Sequence, residues 1–233
     1  MHGFNWFALI SDKVNEHNIH IISGLFVALL LIGAAALAKR KLARLEQSLV
    51  PDGGFSITNT FEVIVESILN LMEGIIGPGA RRHLPLIGTL FIFIFTSNLF
   101  GLIPGFSAPT SNINTNLAMA LCVFLYFNAV GIKEQGPVNY FKHFAGPIWW
   151  MAPFIFAIEL FGVALRPLTL SLRLFANINA DHLVLGIFSQ LVPILIPVIF
   201  MILGLFIAFV QAFVFTLLSM IYISLATAHE EHH

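Results

Sequence analysis

Charge is scarce in this sequence. Eleven Lys and Arg and twelve Asp and Glu make up 10% of its 233 residues, against about 25% in soluble domains. That supply is too small to keep a folded surface in water. The net charge of −1 leaves no basic excess, so nucleic acid is not an expected partner. Cys122 is the single cysteine, which excludes an internal disulfide and says nothing about redox compartment. The N-terminus, MHGFNWFALISDKVNEHNIH, lacks the basic region of a signal peptide and carries Asp12 and Glu16 instead. No small-residue cleavage pattern follows the first apolar run, so that run is expected to stay in the mature chain. Alternating strand patterns are missing too.

Apolar sequence is what the chain has in quantity, at 58% of residues and a mean hydropathy of +0.91. Long apolar runs without a strand period predict an all-α integral membrane protein, because only helices and closed barrels satisfy their backbone inside lipid. It reads as one membrane domain over residues 1–233. Predicted spans cover 19–38, 84–103 and 115–132, each near the ~20 residues that cross a ~30 Å hydrocarbon layer. Residues 1–18 form an N-terminal tail and 227–233 a C-terminal one.

Residues 55–76 differ from the spans. Glu62, Glu66 and Glu73 fall within about 40° on one helical face, and apolar residues fill much of the rest. This predicts an amphipathic helix, lying in the membrane interface, packed on protein, or both. Farther on, 148–191 is apolar over its whole length, and a second stretch runs from 193 to 226. Hydropathy alone divides these into two, three or four crossings, or into two long tilted helices.

Basic residues orient the predicted spans. Lys39, Arg40, Lys41, Arg44, Arg81, Arg82, Lys133 and Lys142 share one side if the first three spans each cross once. The positive-inside rule makes that side cytoplasmic and places the N-terminus outside. Trp149 and Trp150, at the cytoplasmic start of the next stretch, suit an interfacial aromatic belt.

Five titratable residues fall inside the final apolar region: Glu159, Arg166, Arg173, Asp181 and His182. An ionised group at mid-bilayer costs about 2.5–3.5 kcal/mol on insertion scales, so each is a functional candidate. Glu159, Arg166 and Arg173 recur every seven residues and drift only ~20° per step, so they share one face. Asn177 is one turn beyond. Glu159 and Arg173 lie ~21 Å apart along a regular helix, too far to pair. Arg166 precedes Pro167, and either has a role of its own or snorkels to the cytoplasmic interface. Arg173 is too deep in apolar sequence to snorkel. Since it does not release its proton, it acts as a fixed charge. Asp181 and His182 titrate in a useful range and form a candidate proton relay toward the outer face.

The run LRPLTLSLRLFANINADHL (165–183) resembles the core signature of subunit a of F-type ATP synthases. IAFVQAFVFTLLSMIYIS (207–224) is similar to that family's final helix, with Gln211 at its glutamine position, and PTSNINTNLAMAL (109–121) to the polar loop entering its third span. The resemblance covers nearly the whole chain. It implies five transmembrane helices plus one interfacial amphipathic helix, the last two long and strongly tilted against a rotating c-subunit ring.

Arg173 would then face the ring's ion-carrying carboxylate and separate two offset half-channels, with Gln211 and Asn177 nearby. Glu159 would belong to the cytoplasmic half-channel and His182 to the outer one. The further partners implied are peripheral-stalk b subunits, the rest of the F-type ATP synthase and membrane lipid, in a bacterial inner membrane. No cofactor, metal or catalytic residue is implied. Two positions depart from the pattern: Asp181 stands where some members have Gly, and Gly204 where several have a second titratable residue.

The tail His229-Glu230-Glu231-His232-His233 fits H-E-x-x-H literally. It lies at the extreme terminus, with nothing beyond to enclose a metal, so it is not read as a zinc site. GLIPG (101–105) has small-xxx-small spacing but contains a proline in a loop, which argues against helix packing. A secondary ion transporter or an antiporter-like respiratory subunit is the rival reading. The first would show internal repeats and the second intramembrane lysines; the chain shows neither.

Overall fold

The computed structural model describes residues 19–45, 57–103, 105–137, 140, 151–191 and 195–227. Six α-helices carry these residues: α1 (Ile19–Leu45), α2 (Ile57–Ile76), α3 (Leu84–Leu102), α4 (Ile113–Gln135), α5 (Ala152–Leu191) and α6 (Leu195–Thr227). A 3-10 turn, Ala80–His83, leads into α3, and another, Pro109–Ser111, leads into α4. No strand occurs among the described residues. All the helices except α2 are long and apolar enough to cross a membrane, five in number. The fold is all-α and built for a bilayer.

Local chemistry sets the helix ends. Pro85 sits in the first turn of α3, where its missing N–H costs no hydrogen bond. Asn112 caps α4: its side-chain oxygen accepts from the Asn114 N–H at 2.9 Å. Gly136 ends the same helix at φ 78°, a left-handed value that suits glycine.

Hydrogen bonds between helices show which ends lie together. Ser224 Oγ donates to the Ile75 carbonyl at 2.9 Å, and Gln135 Nε2 to the Ala226 carbonyl at 3.0 Å. Arg82 pairs with Glu134. The ends of α2, α4 and α6 therefore meet the start of α3. At the opposite end, Asn112 meets His20 of α1, and Asn179 Nδ2 donates to the Ser111 carbonyl at 3.1 Å. Helices α1, α3, α4, α5 and α6 thus alternate in direction.

The core lies where α3 packs along α6 and α4 along α5. Buried residues on α6 include Gly204, Ala208, Ala212, Phe215, Ser219 and Ile223, spaced by three or four. The small ones let α3 approach closely, as small residues do between membrane helices. The opposite faces of α5 and α6 expose large apolar side chains such as Phe161, Leu172, Ile202 and Phe206. Helix α2 buries Ile68 and Met72 and exposes Glu62, Glu66 and Glu73, so its apolar face packs on protein.

Arg166 has an aromatic setting toward the end of the bundle that holds the Arg82–Glu134 pair. Its guanidinium lies 5.0 Å from the Tyr222 ring centroid and 5.9 Å from that of Phe127. The side chain turns into the bundle, because two aromatic faces offer it an attractive quadrupole there.

Candidate functional site

Helix α5 passes Pro167 without ending. Proline removes one backbone donor, yet the helix runs unbroken from Ala152 to Leu191. The small hydroxyl residues around it bond locally: Thr169 Oγ1 donates to the Arg166 carbonyl at 3.0 Å and Ser171 Oγ to that of Leu168 at 2.9 Å. A buried stripe of Val163, Pro167, Leu170, Leu174 and Ile178 holds α5 on the bundle. Arg173 is exposed, among the exposed apolar residues Leu165, Leu168 and Leu172. Among the described residues no carboxylate pairs with it.

Farther along α5, Asp181 turns toward α6 and α3. A cavity of about 40 Å³ lies there, lined by Asp181, Gln211, Asn98, Ile178, Gly204 and Leu203 among others. That is room for a few waters, since one needs about 10–15 Å³ measured this way. Gly204 keeps the wall thin: a Cβ at that position would come within 2.5 Å of Leu102 Cδ2. Polar groups from three helices therefore converge on one small space in an otherwise apolar interior.

Asn98 anchors this space. Its Oδ1 accepts from Thr110 Oγ1 at 2.8 Å, and its Nδ2 donates to the Ala208 carbonyl at 3.4 Å. Asn116 Nδ2 in turn donates to the Thr110 carbonyl at 2.8 Å. All three side chains are buried. Buried amides in a membrane bundle are costly unless bonded, and here nearly every polar atom is. Among the described residues the exceptions are Ser97 Oγ and Asn116 Oδ1, both buried without a protein partner.

Of the candidate residues, Asp181 and Gln211 are brought together by the cavity. Arg173 and Asn177 do not line it; Asn177 is half-buried and Arg173 exposed. Glu159 and His182 lie on α5, but their side chains fall outside the described residues. So do Lys142, Trp149, Trp150 and the tail from His229 to His233. Asn98, Thr110 and Asn116 were not singled out from the sequence, although Ser97-Asn98 is a polar pair within an apolar span.

The family model described as ATP synthase A chain matches residues 21–224. The chain belongs to the ATP synthase subunit a family. The ATP synthase subunit a of Trichlorobacter lovleyi is 48% identical, with 98% of this chain and 100% of the relative covered. That of Bdellovibrio bacteriovorus is 40% identical, over 98% and 99%. ATP synthase subunit a 1 of Syntrophotalea carbinolica is 48% identical, over 92% and 87%. As a family member the chain is a multi-pass, non-catalytic subunit of the membrane sector of the F-type ATP synthase, where protons are translocated in support of ATP synthesis.

Proposed function

We propose that this chain is the stator that turns ion flow into rotation of a c-subunit ring. It provides two half-channels that do not meet, with Arg173 as the fixed charge between them. The observation that carries this reading is the contrast between Arg173 and Asp181. Arg173 is exposed on an apolar face with no carboxylate paired to it among the described residues. Asp181 instead lines a small, partly open cavity between α3, α5 and α6 with Gln211.

An exposed guanidinium among lipid-type residues needs a counter-charge, and a carboxylate on another subunit supplies it. As the ring turns, Arg173 favours the ionised carboxylate in front of it. A proton must then leave on one side and return on the other. Since arginine keeps its own proton, none leaks directly past it. Gln211 and Asn177 shape the polar neighbourhood of the passing carboxylate. Asp181 and His182 feed the outer half-channel, and Glu159 serves the cytoplasmic one.

Helices of 40 and 33 residues are ~60 and ~50 Å long, well beyond a ~30 Å hydrocarbon layer. We therefore place α5 and α6 steeply tilted, so that their exposed faces follow the ring. Peripheral-stalk b subunits hold the chain still, in a bacterial inner membrane. The amphipathic α2 rests at the cytoplasmic interface.

The test is Arg173→Ala in the assembled complex, measured as ATP-driven proton pumping in inverted vesicles. Pumping is expected to be abolished while insertion and assembly persist, because removing a charge eases insertion. Near-normal coupled pumping by the assembled variant would sink this reading.

A further inference from the structure

The polar residues beyond the cavity form a continuous line toward the first helix. Thr110 joins Asn98 to Asn116. One residue on, the Ser111 carbonyl accepts from Asn179, two positions before Asp181. One more residue on, Asn112 Nδ2 meets His20 Nδ1 at 3.3 Å. His20 lies in the first turn of α1 and is only 8% exposed. The line therefore links the first turn of α1, the 3-10 turn before α4, and the wall of the Asp181 cavity.

Helix packing in lipid does not call for these groups. A buried imidazole and a set of buried amides lose hydration that apolar side chains would not lose. They are clustered at one end of the bundle, opposite the Arg82–Glu134 pair. Within this end, Asn116 Oδ1 and Ser97 Oγ are buried with no protein donor or hydroxyl partner. Atoms of that kind take bound water.

We propose that His20 is the proton-accepting group at the mouth of the outer half-channel, and that water held by Asn112, Asn116 and Asn98 connects it to Asp181. This rests on the reading of Asp181 as the outer relay.

The geometry at His20 defines the step. An amide nitrogen only donates, so Nδ1 of the imidazole accepts from Asn112, and the neutral ring carries its proton on Nε2. Asn112 does not turn over to offer its oxygen, because that oxygen already caps α4 through the Asn114 N–H. A proton arriving from the outer solution adds to the ring at Nδ1 and breaks the Asn112 bond. Its loss to the neighbouring water restores that bond. The ring gains one proton and gives up one, so the step balances. Among the described residues, Glu73, Arg81, Arg82, Lys133 and Glu134 belong to the bundle's other end, and Asp181 is the next titratable group along the polar line.

The experiment uses the assembled ATP synthase in inverted vesicles. Passive proton conductance is read after the catalytic sector is stripped, with ATP-driven pumping read before stripping. His20→Gln keeps a hydrogen-bonding side chain that does not titrate, and His20→Asp restores a titratable one. Both His20→Gln and Asn116→Leu are expected to lower conductance several-fold in fully assembled complexes, while His20→Asp recovers most of it. Wild-type conductance in His20→Gln shows that the imidazole is only structural and overturns the proposal. So does an assembled His20→Asp no better than His20→Gln. The underlying relay is tested separately: wild-type flux in an Asp181→Ala, His182→Ala double variant defeats that reading whatever His20 does.

Discussion

Arg166 stacks on Tyr222, with its guanidinium carbon 5.0 Å from the ring centroid. Seven residues later, about two turns on, Arg173 is exposed on the outside of the same helix. Two arginines on one face by periodicity thus have different solvents: one an aromatic pair inside the chain, the other whatever covers the apolar face. Tyr140, close by, is buried and donates to Asn128 Oδ1 at 2.7 Å. Burial pushes its phenol above the usual value, while the Arg166 charge acts in the opposite direction.

Arg166→Ala is therefore expected to weaken the bundle and leave coupling in place. The two cation–ring contacts are worth about 0.5–2 kcal/mol each, and their loss shows as a lower unfolding temperature of the detergent-solubilised complex. Arg166→Lys regains only part, since an ammonium lacks the planar stacking surface. Loss of pumping in assembled Arg166→Ala vesicles would assign this residue to the ion path instead.

Asp181 and His182 are expected to act as a coupled pair. Each titrates and they are adjacent in sequence, so one partly compensates for the other. Single alanine variants slow proton flow, and the double variant stops most of it. Passive conductance of stripped vesicles reads this directly, and independent, additive losses would show that the two do not share one step.

Gly204 tests the cavity as a water site. Gly204→Leu puts a large side chain into a space of about 40 Å³, beside a Leu102 methyl already 2.5 Å from the position of a Cβ. Overpacking of this kind costs about 1–3 kcal/mol. Outer-side conductance is expected to fall far more than complex stability, because the lost volume is where water sits. Unchanged conductance in an assembled Gly204→Leu enzyme would place the path outside this cavity.

Orientation has its own check. The clustering of Lys39, Arg40, Lys41 and Arg44 in the last turns of α1 predicts a cytoplasmic C-terminal end for that helix and an outer N-terminus. Cys122 is exposed and must first be replaced. A single cysteine introduced at Ala43 should then react in inverted vesicles and resist impermeant reagent in intact cells. Reaction from the outside would reverse every side assignment made above.

Helix-forming runs were legible because hydropathy is a one-dimensional property. The chain has to bury its backbone polar groups within each apolar stretch, so α1, α3 and α4 show in the pattern itself. The division of residues 148–226 into α5 and α6 was not settled that way, since uniform apolarity marks no boundary between one long helix and two short ones. Arg173 and Asp181 stood out for the opposite reason, each an expensive residue in a cheap background, whereas Gln211 was marked only by the family resemblance.

By itself, then, the sequence determined the all-α membrane class and marked which residues are costly in lipid. Tertiary structure alone decided their company. Periodicity put Arg166 and Arg173 on one face, yet the aromatic rings that capture Arg166 come from α4 and α6, far away in the chain. Asn98, Thr110, Asn116 and His20 look like unremarkable polar residues in four separate segments. They become one line only when α1, α3 and α4 pack side by side. A side chain's cost is written in its own chemistry, whereas its partner depends on which helices meet, and that is fixed by the fit of whole surfaces.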